Sequence, residues 1–418
     1  MSQAQATADD APLKTADGVP LKTSIRRAMR RNRLLAFGLV APLLFFIVIT
    51  FLMPIFDMAL RSADNSAVPE ALPQTTDSIG TWDGEGLPPE SVFAAMAADL
   101  RAGNVGQAAT RLNYQESGMR SLMMKSSRMI GQYESGPWKP VLLKIDDDWG
   151  DPAVWSLIKR HSGIFTSAYF LNALDYKYNA EGEVVEQPEY LQIYQKLFLR
   201  TLWMSALITA LCLVLGFPVS YLLANLPARH ANLLMILVLL PFWTSLLVRT
   251  TSWIVMLQTE GVLNDLMVAI GLIGDDGRLQ LIYNQIGTIV AMTQILLPFM
   301  ILPLYSVMKG ISPSYVRAAR SLGANPLIAF WRVYVPQTVP GMGAGGILVF
   351  ILAIGYYITP ALVGGRSGQL ISNYIAYHMQ QSLNWGLAAA IGTILLGGVL
   401  ALYLLYNRLV GIDNMKLG

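Results

Sequence analysis

Six long apolar stretches, joined by polar connections of very unequal length, organise this chain. The first runs from Leu34 to about Phe56. The others cover roughly Thr201–Ala224, Leu233–Leu257, Ile286–Val307, Gly341–Val363 and Gly386–Tyr406. At about 1.5 Å of rise per residue, each is long enough to cross a hydrocarbon core ~30 Å thick as a helix. The first run exceeds the core of a signal peptide and no small-x-small cleavage pattern follows it closely, so it reads as a retained anchor. Residues 58–197 break the pattern with Gly, Pro and acidic residues and with short segments of soluble type. Ser91–Arg101 carries apolar residues at helical spacing, with Ser91 placed as a cap. Trp155–Ile164 and Leu191–Phe198 are similar. The expected organisation is a disordered basic tail (1–33), a first helix (34–57), an inserted extracytoplasmic domain (58–197), a five-helix core (198–408) and a short C-terminal tail (409–418).

Composition strengthens the membrane reading. Hydrophobic residues make up 54% of the 418 and charged residues 14%, against about 25% charged in soluble proteins. Charge placement then sets direction. Residues 1–33 carry seven Lys/Arg against three Asp, including Arg26, Arg27, Arg30, Arg31 and Arg33 beside the first apolar run. Such a cluster suits a cytoplasmic helix anchor better than a nucleic-acid site. Residues 58–197 carry twelve Lys/Arg against eighteen Asp/Glu. Among the short links, the one at Arg229 and His230 and the one from Lys309 to Pro340 contain bases and no acid. The link from Gln258 to Gln280 holds Glu260, Asp265, Asp275 and Asp276 against Arg278 alone. Six crossings with both termini in the cytoplasm satisfy every one of these biases. The fold class is therefore an all-α integral membrane protein, multi-pass and surrounded by lipid.

Little in the chain points to covalent chemistry. Cys212 is the single cysteine and lies in an apolar run. His161, His230 and His378 are far apart, without metal-ligand spacing, and read as loop or interface residues. Asp146–Asp148 lacks the glycine and glutamate of a calcium loop and reads as a solvated turn. Gly341–Gly346 (GMGAGG) lacks the spacing and preceding strand of a dinucleotide loop, and Gly341 with Gly345 reads as a small-xxx-small pair for close helix packing. No G-x-x-x-x-G-K-[ST] phosphate loop occurs. No cofactor is expected on this chain.

The link from Lys309 to Pro340 is long for a bundle connection and is patterned. Ser312-Pro313 reads as a cap followed by proline at the first helical position. Tyr315, Ala318, Ala319 and Leu322 share one helix face, and Gly323 fits a left-handed stop. Asn325-Pro326 repeats the start, with Pro336 and Pro340 expected to close the second helix. The prediction is a basic cytoplasmic helix-turn-helix.

Here the sequence resembles the permeases of ATP-driven importers that work with a solute-binding protein. Ala318-Ala319-Arg320-Ser321-Leu322-Gly323, then Val333 and Pro336, is similar to their EAA loop. Arg317 stands where the family usually has Glu. The resemblance implies that this loop docks on a separate cytoplasmic ATPase dimer that uses ATP and Mg. It also implies a second permease subunit and an extracytoplasmic solute-binding protein. Leu240–Arg249 with Trp253 and Gly261–Asn264, and Tyr357–Gly365, resemble spans three and five of spermidine/putrescine-type permeases. That implies a bacterial inner-membrane location and a polyamine such as putrescine or spermidine as solute, with other small solutes, such as amino-acid derivatives, as the alternative. Candidate path residues are Trp243, Arg249, Trp253, Glu260, Asp265 and Tyr357. Arg249 is the charge inside the third run, the aromatics can stack on an amine, and the two acids can attract one. A secondary transporter would instead show repeats or central charges, and a membrane enzyme would show a catalytic cluster.

Overall fold

A computed structural model of the protein describes residues 21–179 and 181–410. The expected tails at 1–20 and 411–418 lie outside the described residues. The chain divides into two units at Leu60 and Arg61.

The first unit is a helix from Leu21 that passes through a π turn at Val48–Leu52. Residues 21–33, expected to be disordered, are helical, so the basic cluster belongs to the helix instead of preceding it. Asn32–Arg61 is long and apolar enough to cross a membrane.

The second unit begins with the insert. Short helices, among them Pro73–Ile79, Glu90–Ala102, Gly106–Asn113, Met119–Met129 and Pro152–Arg160, enclose a hydrophobic core. Trp155 is its hub, with ring centroids 4.5 Å from Phe93 and 5.2 Å from Trp149. Its indole donates to Trp149 O at 2.9 Å, which satisfies the polar end of a fully buried ring. Ser91 does not cap its helix: the helix begins at Glu90 behind Pro89, and no side chain caps it. The Asp146–Asp148 turn is solvated as expected. Asp146 pairs with Lys125 at 2.8 Å, and that hydrogen bond holds its carboxyl below the usual range. A hairpin of Tyr176–Tyr178 and Val184–Glu186 closes the insert.

The second span, Tyr194–Asn225, starts earlier than its apolar run predicts and absorbs Tyr194–Phe198 of the segment Leu191–Phe198 read as soluble. The reason is a cap from a distance. Asp175, buried and held at φ +63°, accepts from the N–H groups of Ile193 and Tyr194 at 3.0 Å and of Gln195 at 2.8 Å. A carboxylate on a helix N-terminus satisfies orphan donors and complements the dipole.

The third run is not one straight span. Ala228–Trp243 and Leu246–Leu257 meet at 96°. Pro241 opens a tight turn there, and the hydroxyl of Ser245 then caps the second half by accepting from Val248 N–H at 3.2 Å. The described residues therefore hold five helices able to cross a membrane, or six if the bent pair counts as one.

Gln285–Gly310 is the central span, packed between the second and the fifth. The fifth, Pro326–Gly355, approaches it through Gly341 and Gly345. A Cβ at Gly345 would lie 2.8 Å from Met300 Sδ and 3.1 Å from Met300 O, and one at Gly341 would lie 3.0 Å from Val307 Cβ. The glycine pair is thus a close-packing surface. Pro336 and Pro340 do not end a helix as expected. The helix runs through both, and a π turn at Phe330–Tyr334 precedes Pro336. The wider turn moves the preceding carbonyls away from the proline ring. The span then ends at Gly355, short of the predicted Val363, and a separate helix Ile358–Val363 follows. Trp385–Arg408 is the last span.

Candidate functional site

The short helix Pro313–Ser321 forms as its caps predict. Ser312 Oγ accepts from Ser314 N–H at 3.3 Å. Gly323 turns the chain at φ +90°, a conformation that strains any side-chain-bearing residue. Asn325 Oδ1 then accepts from Ile328 N–H at 2.8 Å to start the fifth span. Arg317, Ala318, Arg320, Leu322 and Gly323 are exposed, and Ala319 is half-buried. Among the described residues, neither Arg317 nor Arg320 forms an ion pair. Leu322 is 90% exposed, and Tyr315, Leu327, Ile328 and Trp331 join it in an apolar and basic surface. Val333 is half-buried and Pro336 exposed behind it.

This surface is fastened to the bundle by aromatic rings. Phe330 stacks on Tyr334 at 5.6 Å within the π turn. Both rings meet Tyr221 of the second span edge-on, at 5.5 and 5.3 Å, and Phe330 also meets Phe217 at 6.3 Å. Lys309 Nζ donates to Ala224 O at 3.3 Å beside them. The arrangement can carry a push on the short helix into the second and fifth spans.

The bent run holds three of the six candidate path residues. Trp243 stands at the corner, 77% exposed. Arg249 is half-buried, its guanidinium 5.9 Å from the Phe242 ring and its Nε without a hydrogen-bond partner. Trp253 Nε1 donates to Gln294 Oε1 of the central span at 3.1 Å. Between them, buried Thr250 and Thr359 approach to 3.3 Å and join the bent run to the helix Ile358–Val363. Glu260 is exposed in a turn. Asp265 is not a free acid, because Arg278 Nη1 pairs with it at 2.7 Å while Arg278 Nε holds Asp275 at 2.9 Å. Tyr357 immediately precedes the helix Ile358–Val363 that Thr359 joins to the bent run. It lines a cavity of about 620 Å³ with Tyr194, Tyr374, Tyr377, Gln369 and Asn373. None of the other five candidates lines that cavity. Sequence reasoning missed Gln294, Thr250 and Thr359, although polar residues inside apolar runs are the available signal for them.

A bundle of helices of membrane-crossing length that carries an exposed, capped basic helix defines a multi-pass membrane protein. The chain belongs to the binding-protein-dependent transport system inner membrane component family, whose profile matches residues 197–411. It is similar to the spermidine/putrescine transport system permease protein PotB of Escherichia coli, 36% identical over 221 residues, which cover 52% of this chain and 80% of that protein. The protein of the same name from Haemophilus influenzae is 34% identical over 228 residues, covering 53% and 79%. Among solved structures, a bacterial alginate ABC transporter in complex with an alginate pentasaccharide-bound periplasmic protein aligns over 56% of this chain and 85% of its own. The identity is 18% and the TM-score 0.43. The insert and the first span lie outside the family match.

Proposed function

We propose that this permease imports polyamines such as putrescine or spermidine, driven by a separate ATPase dimer that docks on Pro313–Ser321 and the turn after it. The exposure of Leu322, just after the unpaired Arg317 and Arg320, carries the reading. A leucine presented to solvent beside free charges is the anatomy of an interface lacking its partner. The ATPase pair binds ATP and Mg, so this chain performs no hydrolysis. Closure of that pair pushes the short helix, and the Phe330–Tyr334–Tyr221 rings pass the movement to the spans, which exchange between inward- and outward-open packings. A second permease completes the path, and a solute-binding protein delivers the amine on the face that carries the insert. The basic helix and both termini face the cytoplasm.

Two measurements test this in vesicles holding the whole complex. Arg317→Glu with Arg320→Glu is expected to cut solute-stimulated ATP hydrolysis about ten-fold, as favourable charge contacts across the interface become repulsive. Unchanged coupled hydrolysis in an assembled double variant rules out this docking site. Labelled putrescine and spermidine should enter in an ATP-dependent way. Entry of another solute with neither amine entering ends the polyamine reading.

A further inference from the structure

The cavity of about 620 Å³ beside Tyr357 is walled by three parts of the second unit. Tyr194 comes from the start of the second span, Tyr357 and Arg366 from the chain after the fifth, and Tyr374, Tyr377 and His378 from the helix Ile371–Gln380. Among the described residues no carboxylate lines it. Burial pushes His378 down to about 4, so that ring is neutral near pH 7 and Arg366 supplies the charge of the lining. Arg366 is exposed and forms no ion pair among the described residues. Its backbone is held in place, because Arg366 O accepts from Arg200 Nη1 at 3.1 Å. The cavity therefore offers one anchored, uncompensated cation.

Much of the remaining wall is aromatic. The ring centroids of Tyr194 and Tyr374 lie 6.4 Å apart at 84°, and those of Tyr374 and Tyr377 lie 6.5 Å apart at 56°. Rings this close and this steeply inclined can share one cation within ~6 Å of each centroid. Tyr194 is 7% exposed and its hydroxyl meets His378 Nε2 at 2.8 Å, which fixes the innermost ring. The hydroxyls of Tyr357, Tyr374 and Tyr377 bond to no other protein group among the described residues, so they are free to accept from an ammonium.

The two halves of the lining ask for opposite charges. A diamine could set one end against the rings, but its other end would meet Arg366 and no acid. A plain anion would pair with Arg366 and leave the electron-rich ring faces unused. An interfacial belt accounts for tyrosines taken singly, but not for three inclined rings and a free guanidinium around one cavity. We propose that this cavity binds a small zwitterion, its ammonium among Tyr194, Tyr374 and Tyr377 and its anionic group on Arg366. A free solute and the ethanolamine phosphate head of a membrane lipid share that chemistry. The occupant fastens the start of the second span to the helix that precedes the last one. The inference does not depend on which solute the permease imports.

The test follows the thermal midpoint of the full chain at constant ionic strength. In lipid-free detergent, phosphoethanolamine should raise the midpoint by several degrees in a saturable way. Glycerol phosphate, which lacks the amine, and putrescine, which lacks the anion, should not. Arg366→Gln and Tyr377→Leu alter exposed side chains, and each should raise the half-saturating concentration about ten-fold. Nanodiscs separate the two sources. If the lipid head fills the cavity, phosphatidylethanolamine discs give the higher midpoint and added phosphoethanolamine changes nothing there. If a free solute fills it, phosphoethanolamine acts equally in phosphatidylethanolamine and phosphatidylglycerol discs. No response to phosphoethanolamine in detergent, an equal response to glycerol phosphate, or an undiminished response in both variants would each overturn the assignment.

Discussion

At Gly365 the backbone turns at φ +53°, and a Cβ there would collide with the carbonyl of Tyr283, whose own φ is +60°. Tyr283 N–H in turn donates to Val363 O at 2.8 Å. This crossing holds the start of the central span against the chain that follows the fifth. Gly365→Ala should therefore cost on the order of 3 kcal/mol, from left-handed strain and overpacking together. A drop in thermal midpoint and in the yield of monodisperse protein would register it, and an unchanged midpoint would refute the crossing. His161 gives a second residue-scale outcome. Its folded value of about 3 lies below the unfolded 6.5, so the unfolded chain takes up the proton first as pH falls. The stability contributed by the neutral ring is complete above pH 6.5 and is lost progressively between 6.5 and about 3. The total is on the order of 5 kcal/mol. Denaturation midpoints measured across that window should flatten in His161→Leu.

Two π turns share one sequence context: Val48–Leu52 lies just before Pro54, and Phe330–Tyr334 just before Pro336. In both, the helix widens by a residue and continues, where a simple reading of proline ends it. Pro336→Ala removes the reason for the wide turn. The segment should then tighten toward regular helix, turning Phe330 and Tyr334 off Tyr221. Uptake should fall while ATP hydrolysis persists, and a variant that keeps both intact would show that the π turn has no part in coupling. Asn325→Ala should cost about 1 kcal/mol of local helix stability. Faster amide exchange confined to residues near Leu327 and Ile328 would show it. These elements also show what the sequence could and could not disclose. Helix caps and the glycine pair act through neighbours in the chain or through a regular repeat, so Ser312, Asn325, Gly341 and Gly345 were readable. The 96° bend depends on how Pro241 and Ser245 settle among packed spans. The Asp175 cap depends on a contact across eighteen residues, from Asp175 to Ile193. Neither leaves a periodic trace.

At the scale of the whole molecule, the insert and the spans of the second unit are joined by a hydrogen-bonded chain. Tyr114 OH donates to Ser382 O at 2.8 Å, Ser382 Oγ meets His378 Nδ1 at 2.8 Å, and His378 Nε2 meets Tyr194 OH at 2.8 Å. Tyr114→Phe removes the first link alone. Amide exchange should then quicken across residues 371–386 while the insert's own core around Trp155 stays protected. Equal protection in both forms would mean that the link is idle. Which candidate path residues meet is set by packing between separate spans, as at Tyr357, which faces a cavity whose walls include Tyr194 and Tyr374. Asp175 also carries a consequence for biosynthesis. The insert leaves the ribosome before the second span does, yet the first turn of that span is completed by an insert carboxylate. Maturation of the membrane core therefore waits on a domain that must already have folded. A lesion anywhere in the insert would then be seen by the cell as a defect of membrane assembly, and the half-made protein would be removed before it met its partners.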